Sequence, residues 1–124
     1  MQTFTRIRIA VMLTALIVPF AASAHHGWAG YADEEFEISG TTTTAVSLAG
    51  PHAAFKMKVG EQVWDITLAP PPRTSGAGLN ATTIPVGSQV TVHGHRHKDP
   101  KRFEVKTERV TFNGKLYNVY PDRK

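Results

Sequence analysis

Phe55-Lys56-Met57-Lys58-Val59-Gly60-Glu61-Gln62-Val63-Trp64-Asp65-Ile66-Thr67-Leu68 alternates with a period of two on either side of a glycine turn. Phe55, Met57 and Val59 fall on one face, with Lys56 and Lys58 on the other. After Gly60-Glu61 the chain returns with Trp64, Ile66 and Leu68 sharing a face. A buried helix would put its apolar residues three and four apart, and this stretch does not. It reads as a β-hairpin with one face in the core, running from His52 to Val59 and from Gln62 to Leu68.

The flanking segments continue the β pattern. Phe36 and Ile38 alternate with charged or small neighbours, and Thr41 to Leu48 is rich in β-branched residues. Gly40 inside this run predicts a bulge or sharp bend in one long strand, which Gly50-Pro51 ends. Ser88 to His97 is a further strand, with Val90 and Val92 inward and Gln89, Thr91 and His93 outward. In Phe103 to Phe112 the apolar positions change phase, odd at Phe103 and Val105 but even at Val110 and Phe112. That change predicts a bulge near Thr107 to Glu108. Asn113-Gly114 is a two-residue hairpin turn into a last strand, Lys115 to Tyr120. Residues 69–87, with three consecutive prolines and three glycines, form a long link of the kind that carries function or a short helix.

No part of residues 25–124 shows a convincing helical period. Five or six strongly bent strands in a chain this short cover their apolar faces best by closing on themselves. The expectation is an all-β fold, a small five- to six-stranded Greek-key barrel of the OB type. Residues 25–35 form an extended N-terminal arm pinned by Trp28 and Tyr31. An open sandwich is the alternative.

The first 24 residues read differently. Arg6 and Arg8 precede an apolar stretch from Ile9 to Phe20, followed by Ala22-Ser23-Ala24. Basic start, apolar middle and small residues before a cut make a secretory signal, and the apolar part is shorter than the ~20 residues of a spanning helix. Cleavage after Ala24 leaves a single domain, residues 25–124, in the periplasm, without stable membrane insertion. All six histidines remain, and the formal net charge falls from +4 to +2 because both signal arginines leave. The remaining charge gives little ground for nucleic-acid binding. Cysteine is absent, which excludes thiolate metal sites and cysteine nucleophiles and leaves the core to hold the domain together.

Several motifs resemble a family of small exported bacterial proteins classed as a domain of unknown function. They are Ala24-His25-His26-Gly27-Trp28, Gly50-Pro51-His52-Ala53, Trp64 to Pro71 with Gly76 to Leu79, and Val86-Gly87 through Val90-Thr91-Val92-His93-Gly94-His95-Arg96. The resemblance spans most of residues 25–124 and implies a periplasmic barrel-like domain with no settled activity. Where that family usually reads Asn-Pro-His, this chain has Gly50-Pro51-His52, which keeps the histidine.

Cleavage after Ala24 makes His25 the first residue, offering an α-amine and an imidazole as two nitrogen ligands. A further histidine completes a planar three-nitrogen site of the kind that suits Cu(II), similar to the histidine brace of exported copper proteins. Candidate partners are His52, presented by the Gly-Pro turn, and His95, where Gly94 leaves room for close approach. His93 comes next. His97 is disfavoured by the charge of Lys98. If the cut falls after Ser23 instead, His26 stands third, and its imidazole joins the amine and two backbone amides around Cu(II) or Ni(II).

Other chemistry is weaker. The acidic run Glu34, Glu35 and Glu37 suits a solvated face, and Ser, His and Asp show no nucleophile-elbow spacing. Trp28 and Trp64 suit arm docking and core packing. With Met57 alone left in the mature chain, a methionine-rich copper(I) pocket is disfavoured. The leading expectation is a periplasmic copper-binding protein acting in metal handling rather than catalysis. The alternative is a non-metal module that holds a small ligand or a protein partner; an oxidative copper enzyme is a distant third.

Overall fold

The computed structural model describes residues 27–123. The signal-like leader, its cleavage point, His25 and His26 lie outside the described residues.

The quoted hairpin forms with the register read, but its first strand starts at Ala54 rather than His52 and its second ends at Thr67, leaving His52 on the bend before the first. Strands β2 (Ala54–Val59) and β3 (Gln62–Thr67) pair antiparallel from Val59↔Gln62 to Ala54↔Thr67, around a turn with Gly60 at φ +57°. Phe55, Met57, Trp64 and Ile66 are buried, while Lys56 and Asp65 face each other as an ion pair on the outer side.

Strand β1 (Phe36–Thr42) runs through Gly40 in continuous register with β4 (Gln89–Arg96), and the glycine serves a close strand approach rather than a bulge. A Cβ there would lie 2.7 Å from the Lys58 carbonyl oxygen and 2.9 Å from Val59 Cγ2, so only glycine lets the two strands come so close. Its pairing with β4 is antiparallel from Phe36 to Thr41, and Thr41 and Thr42 also pair antiparallel with β2. The expected continuation of one strand to Leu48 stops at Thr42. Thr44 Oγ1 accepts the Lys56 amide (2.9 Å), so a side chain takes a place in the ladder, and pairing resumes only at an isolated Ser47↔Ala54 bridge.

Residues 69–87 contain a short helix, α1 (Pro71–Gly76), with proline at its first positions, where φ is already helical and no amide hydrogen is needed. Six residues are too few to display a helical period, so it left no apolar signature. The Thr74 hydroxyl donates to the Ala69 carbonyl (2.8 Å), and Leu79 and Ile84 beyond the helix are buried in the core.

Strand β5 (Glu104–Phe112) runs antiparallel to β4, and the register slips as its change of phase predicts. His93 pairs with Arg109 but Gly94 with Thr107, leaving Glu108 as the extra residue of a bulge. Asn113 (φ +51°) and Gly114 (φ +76°) then turn the chain into β6 (Lys115–Asn118), both left-handed as a type I′ hairpin requires.

Strands β3 and β5 pair parallel, from Asp65↔Glu104 to Thr67↔Lys106. That pairing closes the ring β1-β2-β3-β5-β4 and brings β4 back to β1. The result is a five-stranded Greek-key barrel of the OB type, with α1 between β3 and β4 and β6 added alongside β5. Among the described residues, no helix is long and apolar enough to cross a membrane.

Candidate functional site

The arm lies along the end of β4. Tyr31 bridges to His97, the Ala32 amide donates to the Arg96 carbonyl (2.8 Å), and the Lys98 amide donates to the Gly30 carbonyl (3.0 Å). The Tyr31 hydroxyl donates to Glu104 Oε2 (2.6 Å). Burial, and then Glu104, push the Tyr31 phenol well above its ordinary range.

Trp28 anchors the start of the arm. Its ring meets His95 edge-on at 5.5 Å and Tyr120 at 5.2 Å. The Arg123 guanidinium stands 4.0 Å and the Lys106 ammonium 5.4 Å from the ring centroid. Beside it a cleft of about 200 Å³ opens between arm and barrel, lined by Trp28, Tyr31, Asp33, His95, Lys98 and Arg123. Trp28 is thus an arm anchor and Trp64, 6 % exposed, a core residue stacked on Phe36 and meeting Phe103 edge-on, as their sequence setting suggests.

The three histidines of β4 and its end have separate partners. His93 Nε2 lies 2.8 Å from Glu37 Oε2. His97 Nδ1 accepts the Asp99 amide at 3.0 Å. His95 is buried, with Nδ1 donating to the Ala32 carbonyl oxygen (2.8 Å) and Nε2 against Glu108 Oε1 (2.7 Å). Both His95 ring nitrogens are therefore engaged by oxygen atoms, one of a backbone carbonyl and one of a carboxylate. Among the described residues, no group of three or more histidine, aspartate or glutamate side chains is placed to hold a metal ion.

Glu108, the bulged residue, is 3 % exposed and has three side-chain partners: His95 Nε2 (2.7 Å), Arg123 Nε (3.1 Å) and Arg109 Nη1 (3.4 Å). Its carbonyl also accepts the amides of Val119 and Tyr120. One residue thus ties β4, β5 and the C-terminal tail together, and through His95 it reaches the arm. Histidine spacing does not single out Glu108, although the phase change in β5 points at its position.

His52 has a different environment. The Lys106 Nζ donates to its Nε2 at 3.1 Å. Burial, and then the charge of Lys106, lower the His52 pKa below the ordinary histidine value, and burial likewise lowers that of Lys106. Lys106 is only 3 % exposed and, among the described residues, has no carboxylate within ion-pair distance. The arm passes directly over it: a Cβ on Gly27 would lie 3.2 Å from Lys106 Nζ. Lys106 carried no signal in the sequence; the parallel β3–β5 pairing and the arm bring it here.

The barrel and its arm place the protein in the class of small OB-type domains. Within that class the chain belongs to a family of unknown function, DUF6152, whose model matches residues 14–106. No curated protein matches it. Among solved structures, the crystal structure of the ZRD-deleted mutant of TiaS in complex with agmatine aligns with a TM-score of 0.53 at 14% identity, over 69% of this chain and 26% of that one. Complexes of TiaS with an isoleucine tRNA, AMPCPP and agmatine, and with an isoleucine tRNA and ATP, align with TM-scores of 0.48 and 0.49 at 15% identity. Each of these covers 64% of this chain and 18% of that one. The chain spans about a quarter of the length of the first of these chains, and at these identities the likeness concerns the fold alone.

Proposed function

We propose that this is a periplasmic metal-binding protein that holds Cu(II) between a mature N-terminal His25, through its amine and imidazole, and His52. Its role is metal handling rather than catalysis. The observation that carries the reading is the convergence of Gly27, Lys106 and His52. Gly27, two residues after His25 in the sequence, lies against Lys106 Nζ, which is 3.1 Å from His52 Nε2. The acceptor role and lowered pKa of His52 favour the neutral imidazole, the form that binds metals. His95, the other leading candidate, has both ring nitrogens engaged, and His93 is turned to Glu37. His52 is therefore the favoured partner.

The mature protein beginning at His25 is expected to bind one Cu(II), measured by competition titration and by native mass spectrometry of the exported protein. His25→Ala, His52→Ala or one added N-terminal glycine should each abolish tight binding. A glycine-extended protein that binds copper as well as the mature form refutes the reading. A second reading, a module for a small ligand or protein segment, is favoured by the cleft beside Trp28 and by a second one, about 240 Å³, between α1 and the C-terminal tail at Arg73, Asn118 and Asp122. It predicts that histidine changes leave function intact while deletions within Pro70 to Leu79 do not.

A further inference from the structure

The cleft beside Trp28 draws charged side chains from three separate parts of the chain: Asp33 from the arm, Lys98 from just beyond β4, and Arg123 from the C-terminal tail. His95 lines it too, but is buried with both ring nitrogens engaged. Asp33 and Lys98 are exposed. Among the described residues neither has an opposite charge within ion-pair distance, and they do not pair with each other.

Arg123 is fixed from two sides. Its guanidinium stands 4.0 Å from the Trp28 ring centroid, and its Nε donates to the buried Glu108 Oε1 at 3.1 Å. Among the described residues Glu108 is its one carboxylate partner, reached through Nε alone. The two Nη groups at the end of the fork are left over, the pair that takes a planar carboxylate end-on through parallel N–H bonds.

At about 200 Å³ the cleft is smaller than sites for cofactors or drug-sized molecules, and it presents two cations and one anion. A simple anion would be repelled by Asp33, and a simple amine by Lys98 and Arg123. A small molecule carrying both groups matches all three.

We propose that this cleft binds a small zwitterion, a free amino acid with a short side chain, its carboxylate on the Arg123 fork and Lys98 and its ammonium toward Asp33. This rests on the second reading above, gives it a ligand class, and is independent of the copper site. The bound molecule bridges arm, barrel and tail, and so holds the arm against the barrel.

The test is an NMR titration of the mature protein with L-alanine, propionate, propylamine and inorganic phosphate, followed at the Trp28 indole N–H and the Arg123 side-chain N–H groups. L-Alanine should give saturable shifts at both, with a Kd about threefold or more below those of the other three probes. Asp33→Asn should weaken L-alanine to the level of propionate while binding propionate at least as well as the wild type does. A purely structural role for Asp33 would weaken both. Lys98→Gln should weaken L-alanine and propionate alike, and the amide spectrum verifies the fold of each variant. Propionate or phosphate binding as tightly as L-alanine overturns the proposal, because the cleft is then a plain anion site. Saturable L-alanine shifts confined to Arg73, Asn118 and Asp122 overturn it too, while leaving the second reading in place at the other cleft. If none of the four probes gives a saturable shift anywhere, this proposal falls together with the small-ligand form of that reading.

Discussion

Replacing Gly94 by alanine tests the closest backbone approach in the barrel. A Cβ on Gly94 falls 2.1 Å from the Lys106 carbonyl oxygen, 2.8 Å from Thr107 Cα and 2.9 Å from the Lys106 carbonyl carbon. An ordinary carbon contact is ~3.5 Å or longer, so β5 must retreat by more than ~1 Å. All three atoms are backbone, and no side chain can rotate away to relieve them. Overpacking by one methyl costs ~1–3 kcal/mol, and a retreat here also strains ladder hydrogen bonds worth ~1 kcal/mol each. We expect a total loss of ~3–5 kcal/mol, or ~15–30 °C in Tm for a domain of this size. Urea and thermal unfolding of Gly94→Ala measure it. Gly76→Ala is the control: nothing lies within 4 Å of its Cβ position, and its stability should change by less than ~0.5 kcal/mol. A Gly94→Ala protein within ~1 kcal/mol of the wild type would refute the close β4–β5 approach at the bulge.

Glu108→Ala strands the buried His95 and removes one acceptor from Arg109 and Arg123. It should cost ~3–5 kcal/mol in urea unfolding, with Glu108→Gln recovering part because one oxygen acceptor remains. A loss under ~1 kcal/mol for Glu108→Ala would show that this carboxylate is not the junction described. At alkaline pH the Tyr31 phenol matters. Its folded pKa is raised by burial and Glu104, so the folded state keeps the proton longer than the unfolded chain. Its contribution is intact below ~10 and declines as pH rises above the unfolded value of ~10 and through the folded one. Stability measured between about pH 9 and 11 should fall less steeply in Tyr31→Phe than in the wild type, and identical slopes would count against the Tyr31–Glu104 bond.

The barrel was legible because its signals are local. Alternation in Phe55 to Leu68 and the Asn113-Gly114 turn each report on a few neighbouring residues, and both reappear in the structure. The bulge at Thr107–Glu108 was legible for the same reason, since a slip in register must show as a slip in apolar phase. What stayed hidden was either too short or not written in side-chain pattern. Helix α1 has six residues and is specified by its prolines, not by an apolar stripe. The early end of β1 depends on one threonine hydroxyl in the ladder, which β propensity does not distinguish from any other threonine.

The site divides along the same line, and the division bears on how histidines should be weighed. His93, His95 and His97 attract notice because a period of two aims them together, but sharing a direction is not sharing a partner. In an OB-type barrel the end of β4 is bordered by β1, by the bulged β5 and by whatever arm precedes β1, so each position along it meets a different element. His95 meets a buried carboxylate because the bulge turns Glu108 inward against it, and that contact takes the second ring nitrogen. His52 lies outside the strand pattern, on a turn, and for that reason keeps a nitrogen whose partner is another basic side chain. The Lys106 ammonium donates to that nitrogen at 3.1 Å, and Gly27 of the arm lies against the same ammonium. A shared direction along a strand is therefore weaker ground for a common site than the separate elements each position meets.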